Sequence, residues 1–251
     1  VMAVSFIARL NPFRKLPFKK FMKFFISLGI YEKGWSNYLL NRFRGRSFCP
    51  AVVSSSLVKK NSNVLDLGSG AGHLLYILKK RTKEENLTAV EMSLPGIYLA
   101  KKYFCPKANY IYADLEKPLP FKGNSFNCVF VNDAFHYISN KGLLGKEITR
   151  IIQKEGLVSL NVLHNIKFGD SFIDPIHYPD TPKGYASFFP GFNYAVFSEK
   201  NSLEGNLRYI ERKKAERKIE ELRTFTIILS KKKFNKDIKV EIKSLIPRSL
   251  D

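Results

Sequence analysis

The sequence predicts an α/β fold: a doubly wound, mostly parallel sheet with a C-terminal antiparallel strand and helices on both faces. Three observations predict it. From residue 57 onward short apolar runs alternate with helical patterns, as in a parallel sheet with crossover helices. The runs recur roughly every 20 to 35 residues, which suits right-handed βα units. A glycine-rich loop, VLDLGSGAG over 64–72, follows the first run, at the carboxyl end of a strand, where open α/β sheets take their ligands.

Each element has its own signal. Asn63–Leu67 reads as a short buried strand and His73–Arg81 as a helix, with Leu74, Leu75 and Leu78 on one face. Leu87–Glu91 is a second strand, Leu94–Tyr103 a second helix and Ala108–Ala113 a third strand. Gly123-Asn124 supplies the turn before a fourth strand, Phe126–Asn132. A helix over Leu143–Ile152 is closed by Glu155-Gly156, and Leu157–Leu163 is the fifth strand. Residues 165–196 then turn rich in Pro, Gly and aromatics and lose periodicity. Such a segment in a compact domain is commonly functional, and it reads as a substrate loop or lid. Phe197-Ser198-Glu199 reads as the start of a short helix capped by Ser198. Leu207–Ile219 is readable as strand or helix, while Leu222–Ser230 (LRTFTIILS) has high β propensity. The chain thus divides into a basic N-terminal helical cap (1–50), the α/β domain (51–232) and a basic tail (233–251).

Composition narrows the class. With 45% hydrophobic and 14% aromatic residues the chain is neither disordered nor fibrous. Its net charge of +20 is unevenly spread: residues 1–50 carry ten Lys/Arg and one acid, residues 207–251 fourteen and seven, and the remaining 156 residues eighteen and fourteen, a net of only +4. Of 42 bases 30 are Lys, whereas bidentate phosphate and base recognition favours Arg. A solvated lysine surface is the simpler reading, with nucleic acid as a less favoured partner. Phe18, Phe21, Met22, Phe25 and Ile26 recur at helical spacing with lysines largely opposite. Residues 18–30 therefore read either as a helix packed on its own domain or as a peripheral contact with an anionic bilayer. They are too short and too charged to span one. Cys49, Cys105 and Cys128 are too few and too scattered for a disulfide framework or a zinc site. A reducing compartment follows: cytoplasm, with the inner membrane surface as the peripheral alternative, and no metal is expected.

The chemistry concentrates between residues 64 and 138. A strand delivers Asp66, followed by Gly68, Ser69, Gly70 and Gly72. The spacing is G-x-G-x-G, not the G-x-G-x-x-G of dinucleotide loops, and a carboxylate so close would repel a pyrophosphate. It suits a ligand carrying an ammonium or a sulfonium, and S-adenosylmethionine carries both. Glu91, next to Met92 at the end of the second strand, can accept from both ribose hydroxyls. Asp114 at the end of the third can accept from the adenine amino group, with Leu115 on the ring. Asn132, Asp133 and Ala134 fall around the methionine end.

In this order the segments VLDLGSGAG, AVEMS, ADLEKPLPF, FNCVFVNDAFHYI and GLVSLNV, over residues 64–163, resemble the class I S-adenosylmethionine-dependent methyltransferases, a Rossmann-like fold. The resemblance is strongest to the broad group, methyltransferase type 11, that acts on small molecules and lipid-like metabolites. It implies S-adenosylmethionine as cofactor, with Asp66 and the glycine loop on the methionine moiety, Glu91 on the ribose and Asp114 on the adenine. Because the sulfonium is already activated, positioning a nucleophile in line with the methyl group supplies much of the rate. A base is needed only for a weakly acidic acceptor. His164 and His177 are the candidates, with His136 behind them.

Two nucleic-acid chemistries are disfavoured. Exocyclic-amine methyltransferases carry Asn or Asp followed by Pro-Pro and an aromatic after the fourth strand, where this chain reads Asn132-Asp133-Ala134-Phe135. Cytosine-ring methylation needs a cysteine nucleophile, and Cys128 falls in mid-strand. The expected acceptor is a small-molecule or lipid-linked metabolite, held between the N-terminal segment and the aromatic stretch Phe168–Tyr194. An RNA methyltransferase gripping phosphate with its basic flanks, and a non-catalytic protein retaining the cofactor fold, are the alternatives.

Overall fold

In a computed structural model, which describes residues 17–27, 39, 42, 48–171, 177–198, 206–207, 222–232 and 238–239, the domain is a seven-stranded sheet between two helical layers. The strands are β1 (Val64–Leu67), β2 (Leu87–Glu91), β3 (Asn109–Tyr112), β4 (Phe126–Asn132), β5 (Ile152–His164), β6 (Asn193–Ser198) and β8 (Thr224–Ser230), with β7 (Asn206–Leu207) and β9 (Ile238–Lys239) forming a separate small pair. The sheet order is β3-β2-β1-β4-β5-β8-β6, parallel from β3 through β5 and antiparallel at β5–β8 and β8–β6. The order reverses at β1, which pairs with both β2 and β4, so a crevice opens at the carboxyl end of β1.

The helices are α1 (Phe18–Ser27), α2 (Cys49–Ser55), α3 (His73–Leu78), α4 (Leu94–Leu99), α5 (Lys141–Ile151) and α6 (Pro182–Ser187). One face of the sheet is covered by α1 to α4, whose Phe18, Phe21, Met22, Val52, Leu74, Leu75 and Leu99 pack with Val64 and Phe130. The other is covered by α5 and α6, where Leu144, Ile148, Tyr185 and Phe189 meet Leu65, Val129, Leu160 and Ile227. Ser93 caps α4 by accepting from Gly96 N–H, Asn140 caps α5 through Leu143 N–H, and Thr181 caps α6 through Gly184 N–H. A π-turn over Ala100–Phe104 extends α4 and presents Phe104 to α1.

Three expectations need correction. Glu155-Gly156 does not close a helix: α5 runs straight into β5 at Ile152, and Gly156 lies inside the strand near a register shift against β4. The described residues of 165–196 are not aperiodic: they form a 3-10 segment (Ile166–Ser171), helix α6 and strand β6. Pro182 starts α6 rather than breaking a strand, and the aromatics Tyr185 and Phe189 serve the core. Finally, Phe197-Ser198 ends a strand and does not start a helix, and the antiparallel partner of β8 beyond β5 is β6, not Leu207–Ile219. Most of Leu207–Ile219, residues 1–16 and the bulk of the 233–251 tail lie outside the described residues.

Helix α1 answers one alternative. Phe18, Phe21 and Met22 are buried against the domain, with Phe18 and Phe104 rings 5.1 Å apart and Phe21 and Tyr103 rings 5.5 Å apart. These three side chains are therefore not available to a bilayer. Lys102 lies over the Phe21 ring at 4.4 Å, adding a cation–π contact at the helix edge. No helix among the described residues is long and apolar enough to cross a membrane. Truncating Phe21 to Ala is expected to cost about 3–5 kcal/mol, read as a lowered urea midpoint, whereas Lys19→Ala on the exposed face is expected to leave the midpoint within about 0.5 kcal/mol.

Candidate cofactor and acceptor site

The glycine loop is built by two devices. Gly68 and Ser69 N–H groups donate to the Val90 carbonyl at 2.9 and 3.2 Å, and Gly72 N–H to the Ser69 carbonyl at 3.0 Å, which folds the chain over the end of β2. Glu91 then clamps it: Oε2 accepts from Gly70 N–H at 2.7 Å, and Oε1 accepts from Met92 and Ser93 N–H at 2.9 and 2.8 Å. All three glycines of the loop take positive φ, and at Gly68 a Cβ would also lie 2.8 Å from Ala134 Cβ. Gly72 has φ +83° and a Cβ there would lie 2.6 Å from Ala100 Cβ, so nothing larger lets α3 and the π-turn meet. Gly70 has φ +54°, and a Cβ there meets nothing within 4 Å. That side of the loop is open.

Asp66, at 1% exposure, sits beneath this loop with neither carboxylate oxygen hydrogen-bonded. Ser69 Oγ and Asn132 Oδ1 are likewise buried without partners. A buried polar atom left unsatisfied costs free energy, so three such residues around one loop mark a place where a polar ligand completes the bonding. Burial pushes the Asp66 carboxyl up to about 8, reinforced by the Glu91 carboxylate and opposed by Arg42. An ammonium or sulfonium restores its ionisation.

The remaining expected cofactor residues fall along the same edge. Met92 (61% exposed), Leu94 and Tyr112 form an exposed apolar rim at the ends of β2 and β3. Asp114 is half-buried, and its Oδ1 accepts from Glu116 N–H at 2.9 Å, leaving Oδ2 for a ligand. Leu115 is buried in the core beside the Gly68 position, with little surface left for a ring. Glu91 spends three of its four acceptor positions on backbone, so one remains, on Oε2, for a hydroxyl.

At the neighbouring strand ends lies a histidine group. His136 is in the 3-10 turn Phe135–Tyr137 after β4, His164 ends β5, and His177 lies in the segment before α6. His164 Nδ1 and His177 Nε2 are 2.8 Å apart, and the His136 ring stacks on His164 at 4.1 Å with 16° between planes. Burial, with His164, His177 and Lys141 nearby, holds His136 down at about 2; burial and His177 hold His164 down at about 4. Both are neutral near pH 7. The reach of His164 is set by a bulge: β5 gains one residue against β8 between Leu160 and Leu163, and Val162 takes φ +57°, a left-handed conformation uncommon for a β-branched residue. Tyr137 packs on His136 and His177 and is exposed, as is Tyr178 next to His177, while Ile166 and Phe168 are exposed in the 3-10 segment that follows His164.

One feature was missed by sequence reasoning. Arg42, buried, pairs with Asp133 at 2.8 Å, tying the N-terminal segment to the end of β4. No spacing signals such a pair across 91 positions. His73, held down at about 3 by burial, donates from Nε2 to the Leu39 carbonyl at 2.9 Å and packs on Phe104. It is a core residue.

The topology and the loop define a class I methyltransferase fold, whose cofactor is S-adenosylmethionine. Residues 65–160 match the family model described as a methyltransferase domain. Over 102 residues the chain is 34% identical to a malonyl-(acyl-carrier protein) O-methyltransferase of a Marinomonas strain, covering 40% of this chain and 37% of that protein. Over 113 residues it is 28% identical to a demethylmenaquinone methyltransferase of Thermotoga maritima, covering 45% and 48%. The chain thus spans less than half the length of these curated relatives. An S-adenosylmethionine-dependent methyltransferase from Mesorhizobium loti superposes with a TM-score of 0.56 at 14% identity, over 74% of this chain and 99% of that one, which shows the fold.

The Asp66 environment gives a sign for pH dependence. In the free protein the carboxyl is largely protonated below about pH 8, while a bound ammonium stabilises the carboxylate. Binding therefore expels a proton, and affinity for S-adenosylmethionine is expected to climb as pH rises toward 8, by up to about tenfold per unit. Calorimetry in buffers of different protonation enthalpy reads the released proton. Asp66→Asn is expected to abolish the slope and weaken binding; a pH-independent affinity in the unsubstituted protein would contradict the assignment. Gly70→Val, a β-branched side chain at positive φ on the open side of the loop, is expected to remove binding altogether.

Proposed function

We propose that this chain is an S-adenosylmethionine-dependent methyltransferase acting on a small-molecule or lipid-linked metabolite, in the cytoplasm. One observation carries the reading. The unpartnered buried acceptors Asp66, Ser69 and Asn132 lie next to a histidine group rimmed by exposed apolar side chains, so a polar cofactor end and an apolar acceptor end adjoin at the crevice beyond β1 and β4. The acceptors named for the relatives, a carrier-bound malonyl group and a demethylmenaquinone, are of this kind. Three described cysteines are free and buried, which suits a reducing compartment.

When bound, the cofactor supplies an electrophilic methyl group on sulfur. The chain's residues then have separate tasks. Asp66 takes the ammonium, Glu91 holds the loop and offers its last acceptor position to a ribose hydroxyl, and Asp114 offers Oδ2 to the adenine amino group. His164 and His177 stand at the acceptor end and receive the acceptor's proton as its oxygen, nitrogen or carbon attacks. The hydrophobic rim of Tyr137, Ile166, Phe168 and Tyr178 holds the acceptor and keeps water away.

A labelled-methyl screen of cell extract, followed by fractionation, is expected to place label in the organic-soluble or small-molecule fraction. Label in RNA, lost steeply with salt, would favour the basic flanks as a phosphate grip instead. His164→Ala is expected to lower kcat by about 10²-fold or more while leaving the Kd for S-adenosylmethionine within twofold or so. Unchanged kcat would remove His164 from the chemistry.

A further inference from the structure

We propose that His136, His164 and His177 form a binding site for a divalent transition metal, zinc by preference, at the acceptor end of the crevice. One ring nitrogen from each lies within 4.8 Å of the other two. In a tetrahedral zinc site with Zn–N of about 2.0–2.1 Å, ligand nitrogens stand about 3.3 Å apart. The His164 Nδ1 to His177 Nε2 separation of 2.8 Å is already close to that edge, and rotation of the His136 ring closes the third side.

The His136 ring supplies the decisive observation. It is fully buried, and neither nitrogen makes a hydrogen bond of good geometry, the Val162 backbone acting on the ring only weakly. Asp133 Oδ1 stands 3.8 Å from Nε2, too far for a hydrogen bond. A buried imidazole with two unsatisfied nitrogens is costly unless something binds it, and a metal ion held jointly with His164 and His177 does so.

The backbones of the three residues are also fastened to one another. Tyr178 N–H donates to the His136 carbonyl at 2.7 Å, Tyr185 Oη to the His164 carbonyl at 3.1 Å, and Ile166 N–H to the Asp180 carbonyl at 3.3 Å, which pins the segment carrying His177 across the end of β5. Metal sites need ligands held by a surrounding shell, and this one has it. Asp133 adds a carboxylate nearby to balance the charge, although it also pairs with Arg42.

Three imidazoles with no thiolate and no carboxylate in the ligand set suit zinc and its borderline neighbours, not magnesium or calcium. Three protein ligands leave a fourth position open in a tetrahedral site. An acceptor hydroxyl bound there loses its proton more readily, so the imidazoles would act through the ion instead of as free bases. The site itself stands on the three rings and does not depend on the methyl-transfer reading.

Titrating the full chain with Zn2+ by calorimetry, and with Co2+ by visible absorption, tests this. One equivalent is expected to bind, with the absorption of a four-coordinate cobalt site, and Zn2+ is expected to raise the thermal midpoint. His177→Ala, in a half-exposed segment, and His164→Gln are each expected to weaken Zn2+ binding by about 100-fold or more and to abolish the cobalt spectrum. S-adenosylmethionine binding, measured in the same variants, reports that the domain is folded. Absence of saturable Zn2+ binding in the unsubstituted chain, or binding that survives both substitutions within a few-fold, overturns the proposal. Either result leaves the cofactor reading untouched, just as loss of S-adenosylmethionine binding with intact Zn2+ binding would overturn only the latter.

Discussion

The site depends on a single carboxylate spread over three backbone donors. Glu91 joins the end of β2 to the glycine loop that leaves β1, and through Gly70 it fixes where that loop stops. A side chain accepting three N–H groups ties the end of β2, the start of α4 and the loop to one point. With the loop held, Asp66 is sealed beneath it, and burial leaves its carboxyl favouring the protonated form. A cation bound there would offset the cost of ionising it, which would link stability to loading.

Much of this was legible in the sequence because the signals are local. Asp66, Gly70 and Gly72 stand within seven positions, and Glu91 ends a strand whose apolar run is unmistakable. β1 to β4 fall at or within a residue or two of their expected limits for the same reason. What failed was non-local. The run NYAVFS reads as the end of a loop and the start of a helix, yet it is a strand once β8 offers a ladder. Tyr185 and Phe189 look like pocket lining in a string of aromatics, and only packing against Leu160 and Ile227 makes them core.

The histidine group illustrates the same limit from the chemical side. His136, His164 and His177 have no metal-ligand spacing, and the absence of paired cysteines argued against a metal. Parallel strands bring the three together because β4 and β5 end side by side, and the segment after β5 folds back over both. Arg42 belongs to the same category: a buried cation from the N-terminal segment that reaches Asp133 across the crevice. Residues 65–160 contain the glycine loop, but Arg42, His164 and His177 lie outside that stretch, so the histidine group and the buried ion pair draw on segments that the matched domain does not include.

Val162 shows how little it takes to aim a side chain. Along β5, Val158 and Leu160 face the layer of α5, and strict alternation would send His164 the same way. The extra residue at the bulge shifts the parity, so that Leu163 fills the next core position and His164 is released from it. The strand in effect changes reading frame two residues before its end. Were the same residues to pair without the bulge, the leucine and the histidine would exchange places, and an imidazole would sit where the core needs an aliphatic side chain.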